Sequence, residues 1–297
     1  MNPRGPSAHA DTPPRLIRSL EEWYFYAPPQ KGLQHWVNGY SAKELARTWF
    51  PDSNRITFPR ELRSLLESHP CTTGFKLKAA QAEFESAFDK HSKSIGRGTA
   101  HLDLLLVGDC RGVTTIIGIE AKSAENFGCS EVGEYFDRME KKRRSAIPRR
   151  IDSLCKCFFG ETISTKPALR SLWYQLLTGV AGTLAEAKRR RAKQAVFVVH
   201  VFESRRVLTS KSKIVNDHAF ADFLRALGLA TGENVPAGTL FHKNCVAQPT
   251  EFIPSIPFSV GKCSRDISPL LDAILSQPGD DIADVEFLGT NGKITRF

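Results

Sequence analysis

Charges inside two runs of Leu, Ile and Val constrain this chain more than any other feature. Residues His101–Asp109 and Ile116–Lys122 are short and apolar, and Cys110-Arg111-Gly112 between them has the composition of a turn. Such a pair predicts a β-hairpin buried on both faces. Asp103, Glu120 and Lys122 lie inside it. A charge there costs on the order of several kcal/mol unless it is paired or holds a metal. Strand side chains alternate faces, so Glu120 and Lys122 share one, and Asp103 shares one with His101. Antiparallel pairing about residue 111 sets Asp103 opposite Glu120 or its neighbour.

Two carboxylates meeting with a lysine beside them suit a divalent cation. Hard oxygen ligands, completed by waters and a substrate phosphate, describe Mg2+, with Mn2+ as its substitute. Asp103, Glu120 and the backbone carbonyl of Ala121 are the candidate ligands. The ion polarises a phosphodiester and lowers the pKa of a bound water, while Lys122 orients that water or stabilises transition-state charge. A purely structural alternative makes Glu120 and Lys122 a strand-edge ion pair and Asp103 a turn cap.

The chain has 297 residues, a net charge of +9 and 41% hydrophobic residues. That size buries a full core, and the charge favours polyanionic partners, nucleic acid first. No apolar run is long enough to span a membrane, and Met1–Pro6 has no signal-peptide character, so the expectation is a cytoplasmic protein without membrane contact. Seven cysteines are scattered through the chain. Cys155-x-Cys157 lacks the second pair of a zinc knuckle, so the cysteines read as small buried apolar thiols.

Residues 1–15 read as a disordered tail and residues 16–74 as a helical layer. That layer holds helices over Leu16–Tyr26, from a Ser41/Glu44 capping box to Pro51, and over Pro59–Ser68. Leu77–His91 has Leu77, Ala80, Phe84, Ala87 and Phe88 at helical spacing and predicts an amphipathic helix. Its Glu83 or Glu85 could point toward the hairpin. Residues 123–168 form an insertion with a helix over Glu131–Arg144. The basic run Arg138–Arg150, with Lys141, Lys142, Arg143 and Arg144, and Arg97 in the polar turn before the hairpin, are candidate phosphate contacts. Leu169–Lys188 predicts a long helix, Gln194–Phe202 a buried strand and His218–Leu229 a further helix. His200 reads as a satisfied core or strand-end residue. Residues 231–297 form a strand-rich extension, with a short helix over Ser268–Ser276.

In this order the segments resemble the PD-(D/E)xK nuclease superfamily, whose core runs helix, three strands, helix, strand, with Asp on the second strand and Glu-x-Lys on the third. The resemblance covers roughly residues 75–205, within a core of 75–230. It implies an α/β, restriction-endonuclease-like αβββαβ fold with a mixed central sheet, plus the N-terminal layer and the C-terminal extension. It makes Asp103 and Glu120 metal ligands and Lys122 catalytic, and implies supporting roles for Glu83 or Glu85 and for Gln175. Leu102 stands where the Pro of the motif would be. The stretch containing Asn126-Phe127-Gly128 and Val132-Gly133-Glu134 also looks like an uncharacterised group of bacterial proteins with that fold. The implied activity is Mg2+-dependent phosphodiester hydrolysis by an endonuclease of restriction or defence type, acting on DNA more than RNA, with a homodimer possible. The alternative is a catalytically inactive nuclease-fold protein that binds DNA or a protein partner.

Overall fold

The computed structural model describes residues 16–29, 32–52, 55–89, 99–123, 125–128, 130–142, 145–204, 211–232, 235–268, 280–281 and 286–289. The tail 1–15, Arg97, Arg143, Arg144 and the terminal helix beyond Ser268 fall outside them.

Helices α1 (Leu20–Tyr26) and α2 (Ser41–Trp49), strand β1 (Thr57–Phe58) and helix α3 (Arg60–Glu67) form the N-terminal layer. Strands β2 (Lys76–Ala87), β3 (Thr99–Cys110) and β4 (Val113–Lys122) follow. Then come α4 (Val132–Glu140), α5 (Ile147–Phe159), α6 (Tyr174–Arg189), β5 (Gln194–Glu203) and α7 (Lys211–Ala226). Strands β6 (Thr239–Lys243), β7 (Phe258–Asp266), β8 (Asp280–Asp281) and β9 (Glu286–Leu288) complete the order. The protein is α/β. Its main sheet is mixed and seven-stranded, in the order β6-β7-β5-β4-β3-β2-β9, while β1 and β8 pair separately. Strands β2, β3 and β4 are antiparallel neighbours, and β4, β5 and β7 run parallel. Among the described residues no helix is long and apolar enough to cross a membrane.

Each face of the sheet carries its own core. On one, Trp49, Leu62 and Leu65 of the N-terminal layer pack on Leu104, Leu106, Ile117, Ile119 and Val198. On the other, α5, α6 and α7 cover Leu105, Ile116, Phe197 and Val199. Strands buried on both faces read as continuous apolar runs, which is why the hairpin was visible in the sequence.

The helix expected over Leu77–His91 is instead strand β2, paired with β3 along most of its length and with β9 on its other edge. The helical spacing has a physical origin. Phe75 and Ala80 face the N-terminal layer, whereas Ala79, Phe84 and Phe88 face α6. The two-residue alternation is interrupted between Leu77 and Ala79, where the register with β3 shifts, and again at Glu83, whose φ is +49°. Two such interruptions in one strand imitate a helical period. Alanine also has high helix propensity, here overridden by pairing within the sheet. The helix that precedes the three strands β2, β3 and β4 is α3, and α4, α5, α6 and β5 follow them. At α2 the expected cap is also displaced. Tyr40 is the N-cap and Ser41 the first helical residue, while Glu44 accepts the Gly39 N–H at 2.8 Å.

Helix α6 lies close on the strands because small residues meet there. Ser86 Oγ donates to the Gly182 carbonyl at 2.8 Å, and a Cβ on Gly179 would stand 2.5 Å from the Phe197 ring. A Cβ on Gly118 would collide with Thr183 Oγ1. Gly118→Ala is expected to cost about 1–3 kcal/mol through overpacking. Urea unfolding of the two proteins checks this, and an unchanged midpoint would refute it.

Candidate active site

The ladder between β3 and β4 ends at Leu104 opposite Ile119. Beyond it, Asp103 and Glu120 are the next two residues. Asp103 Oδ2 accepts the Ala121 N–H at 2.6 Å, so a side chain takes over where the backbone ladder stops. Ala121 turns into the N-terminal core and pairs in register with His200 of β5. Glu120 and Lys122 therefore face α6. Both are buried, at 2% and 6% exposure, and Lys122 Nζ lies 2.6 Å from Glu120 Oε1. Gln175, the second residue of α6, donates from Nε2 to the same oxygen at 2.6 Å. Its own Oε1 is buried with no hydrogen-bond partner.

Glu83 completes the group. Its left-handed backbone costs about 1–3 kcal/mol, a strain that surrounding structure must maintain. The pairs Ala82–Leu104 and Phe84–Leu102 flank it, which sets Glu83 opposite Asp103. Burial pushes the Glu83 carboxyl up to about 9, with Asp103 and then Glu120 adding to the rise. Burial pushes Glu120 up to about 8; Lys122 opposes the rise and Asp103 reinforces it. Asp103 is raised by burial against the pull of Lys122 and the Ala121 N–H. Burial works against the charge on Lys122, but Glu120 and Asp103 outweigh it and lift the ammonium above its usual range. Each of these acids is thus displaced toward its protonated form, and the lysine toward its charged one.

The structure thus separates the two candidate acids of β2. Glu83 is buried and feels the charges of Asp103 and Glu120, while Glu85 is half exposed and pairs with His101 Nε2 at 3.0 Å. His101 Nδ1 lies 3.8 Å from Glu83 Oε2.

A loop after β4 covers the lysine, with Lys122 Nζ 5.7 Å from the centre of the Phe127 ring. Asn216 of α7 holds this loop at two points, accepting the Phe127 N–H at 3.1 Å and donating to the Glu125 carbonyl at 2.8 Å. Gly128 adopts φ +59° against Gln175. Ser123 Oγ donates to Gly39 at 2.7 Å and so fastens the loop to the N-terminal layer. Neither Asn216 nor Ser123 stood out in the sequence, because a polar residue on an amphipathic helix or at a strand end reads as solvated.

The basic run divides. Lys141 and Lys142 are exposed. Arg138 donates to Ser130 Oγ at 2.9 Å and lies over Tyr135. Arg150 is buried, pairs with Asp89 and hydrogen-bonds Tyr174 beside Gln175. Cys155 and Cys157 are buried in the core, and burial pushes both thiols up to about 12.

An oxygen donor set suits Mg2+ or Mn2+, and the buried, unpartnered Gln175 Oε1 marks a polar locus beside it. The acids are nonetheless held apart, Asp103 by Ala121 and Glu120 by Lys122 and Gln175. Among the described residues, the His, Cys and acidic side chains grouped with every ligand atom within 4.8 Å of the others are His69, Cys71 and His242. The acids of the candidate site are not grouped in this way.

The matching family profile decides the chain's kinship. The chain belongs to the family described as a domain of unknown function (DUF6946), matched over residues 16–266. The match includes the N-terminal layer, every strand from β1 to β7 and all the acids of the site. No curated protein and no solved structure matches this DUF6946 chain.

The raised carboxyl groups set a pH dependence. A folded carboxyl near 9 keeps its proton while the unfolded chain, near 4.5, has lost it. Stability without added metal therefore falls as pH rises between those values. Glu83→Gln removes one such group and is expected to gain roughly 1–2 kcal/mol at pH 8 and to flatten the decline. Thermal melts from pH 5 to 9 measure both, and parallel curves for the two proteins would contradict this.

Proposed function

We propose that this chain is a Mg2+- or Mn2+-dependent nuclease that hydrolyses phosphodiester bonds, with DNA the preferred substrate over RNA, and that its core is restriction-endonuclease-like. The observation carrying the reading is the meeting of Glu83, Asp103, Glu120, Lys122 and Gln175 at the parting of two central strands. The order α3, β2, β3, β4, followed after the inserted α4 and α5 by α6 and β5, and the net charge of +9 support it.

Asp103, Glu120 and Glu83 would hold the cation, which supplies Lewis-acid polarisation of the scissile phosphate and a more acidic bound water. The chain's own residues do the rest. Lys122 places an ammonium beside the carboxylates, where it stabilises charge on the phosphoryl oxygens. That role would require it to give up its contact with Glu120. Gln175 fixes the Glu120 carboxylate, and its second amide atom lies beside Gly128. Phe127 keeps bulk water from the lysine, which strengthens every charge interaction inside. Lys141, Lys142 and Arg149 are exposed members of the described basic run, available to a phosphate backbone.

Asp103→Asn and Lys122→Ala are each expected to lower Mg2+-dependent cleavage of DNA about a thousandfold while leaving salt-sensitive DNA binding intact. Cleavage undiminished in both would remove the site from the reaction. The burial of Glu120 under Lys122 and Gln175 favours a second reading, a nuclease-fold protein that binds DNA or a protein partner without turnover. Salt-sensitive binding by the wild type, with no cleavage of DNA or RNA in either metal, would select it.

A proton count gives an independent check. Drawing a cation onto acids displaced toward their protonated forms releases roughly one to two protons per ion at neutral pH. Calorimetry in buffers of different ionisation enthalpy reads that number, and release of none would show that the acids are not the ligands.

A further inference from the structure

Helix α3 ends at Glu67, and the chain reaches β2 through a tightly bonded turn. His69 is followed by Pro70 and Cys71. The Thr72 and Thr73 N–H groups both donate to the His69 carbonyl at 3.0 Å. Thr72 Oγ1 donates to the Leu66 carbonyl at 2.5 Å, and the Gly74 N–H donates to Glu67 Oε1 at 3.1 Å. Gln194, the first residue of β5, reaches over from the sheet. Its Nε2 donates to the Cys71 carbonyl at 2.8 Å and to Thr115 Oγ1 at 2.9 Å. The turn is thereby fixed against the start of the central strands.

The outermost strand β6 brings His242 to the same place. The His69 and His242 rings stack with centres 5.1 Å apart and planes 22° apart. One ligand atom from each of His69, Cys71 and His242 lies within 4.8 Å of the other two. The lone pair on His69 Nδ1 is turned toward Cys71, whose N–H it accepts at 3.2 Å. On the second ring, Nδ1 is bonded to Ser259 Oγ at 3.1 Å, and the side chain of Asn244 also hydrogen-bonds this ring, a contact that a metal at Nε2 would share or replace. Ser259 is the residue opposite His242 in the β6–β7 ladder, so its hydroxyl is itself held in place.

We infer that His69, Cys71 and His242 form a zinc-binding site, separate from the acidic site, with one coordination position left for water. Two imidazoles and a thiolate are a borderline-soft donor set that selects Zn2+ over Mg2+ or Mn2+. A tetrahedral zinc with bonds of about 2.0–2.3 Å places its donors roughly 3.5 Å apart, so small side-chain rotations close the present group onto an ion. Ser259 plays the outer part usual at such sites, fixing the tautomer and direction of a histidine ligand. Binding costs Cys71 its thiol proton, which passes to solvent, and the ion takes over the His69 lone pair from the Cys71 N–H. The ion ties the turn after α3 to the outermost strand. Thr115 and Gln194 begin β4 and β5, whereas Glu120 and Lys122 end β4. His242 lies three strands from β4 and, through Ser259 and Val196, level with Ile117, so the two sites are separated both across the sheet and along it.

The full chain, reduced and freed of metal, is titrated with zinc against a chromophoric chelator, and separately with Co2+. Expected are one zinc per chain, a rise in thermal midpoint, and a cobalt spectrum with tetrahedral and thiolate charge-transfer bands. Cys71→Ser abolishes the charge-transfer band. Ser259→Ala, which leaves all three ligands in place, weakens zinc by about ten- to a hundredfold. Asp103→Asn leaves zinc binding unchanged, which separates this site from the proposed nuclease centre. Circular dichroism confirms that each variant is folded. Zinc binding undiminished in the Cys71→Ser/His242→Ala double variant, or a cobalt spectrum without the thiolate band, would overturn the assignment, as would no stoichiometric zinc in the wild type.

Discussion

Glu120 Oε1 accepts from Lys122 Nζ and from Gln175 Nε2, and the remainder of the site is arranged around that oxygen. A carboxylate at 2% exposure is tolerated only with partners of this kind. One partner comes from its own strand, two residues on. The other comes from the first turn of α6, and it can arrive only because the strands beneath that helix carry Gly118, Ala100 and Ser86 where bulkier side chains would hold it away. The close packing of α6 and the pairing of a buried acid are thus one constraint. The loop after β4 is subject to it as well, since Phe127 and Gly128 can rest on Lys122 and Gln175 only while Asn216 holds their backbone.

The two layers of core divide the work. The N-terminal helices bury the side of β4 that shows Ile117, Ile119 and Ala121, and so fix which side shows Glu120 and Lys122. A slip of one residue in this strand would exchange them. The parallel ladder with β5, continuous from Thr115 to Lys122, prevents that slip. The pairing with β3 is free to end early, and Asp103 converts its end into a side-chain contact with Ala121. Register is thereby secured on one edge of β4, while the other edge parts from β3 where the acids lie.

Much of this was legible in the sequence, for reasons that differ element by element. Strands β3, β4 and β5 announce themselves because burial on both faces makes them uniformly apolar, and charges within such runs stand out. Asp103, Glu120, Lys122 and Gln175 were found in that way or through the family resemblance, and the structure brings them together. Strand β2 was read as a helix because its bulge and the left-handed Glu83 break the alternation that identifies a strand. The irregularity that hid the strand is the one that places its acid, so the fold was hardest to read where the site is built. The group at His69, Cys71 and His242 was missed for another reason. Its ligands are joined by a turn and an outer strand far apart in the chain, with no spacing for a motif to capture. The cysteine pair that did draw attention, Cys155 and Cys157, faces the core as its apolar setting suggests.

Glu83 bears on whether the charged hairpin is merely structural. A strand-edge ion pair accounts for Lys122 on Glu120, and a side-chain cap accounts for Asp103 on Ala121. Neither needs a third acid. Glu83 nevertheless occupies a conformation that L-residues with side chains avoid, at a position where glycine would relieve the strain. Relaxing to regular strand geometry would also restore the alternation and turn the next residues of β2 to the opposite faces. Instead the chain keeps the left-handed turn and tolerates a carboxyl displaced to about 9 beside two others. Stability alone would remove such an arrangement, since mutual repulsion and desolvation both act against it. What the arrangement brings together is three carboxyl groups and a lysine where the ladder between β3 and β4 stops.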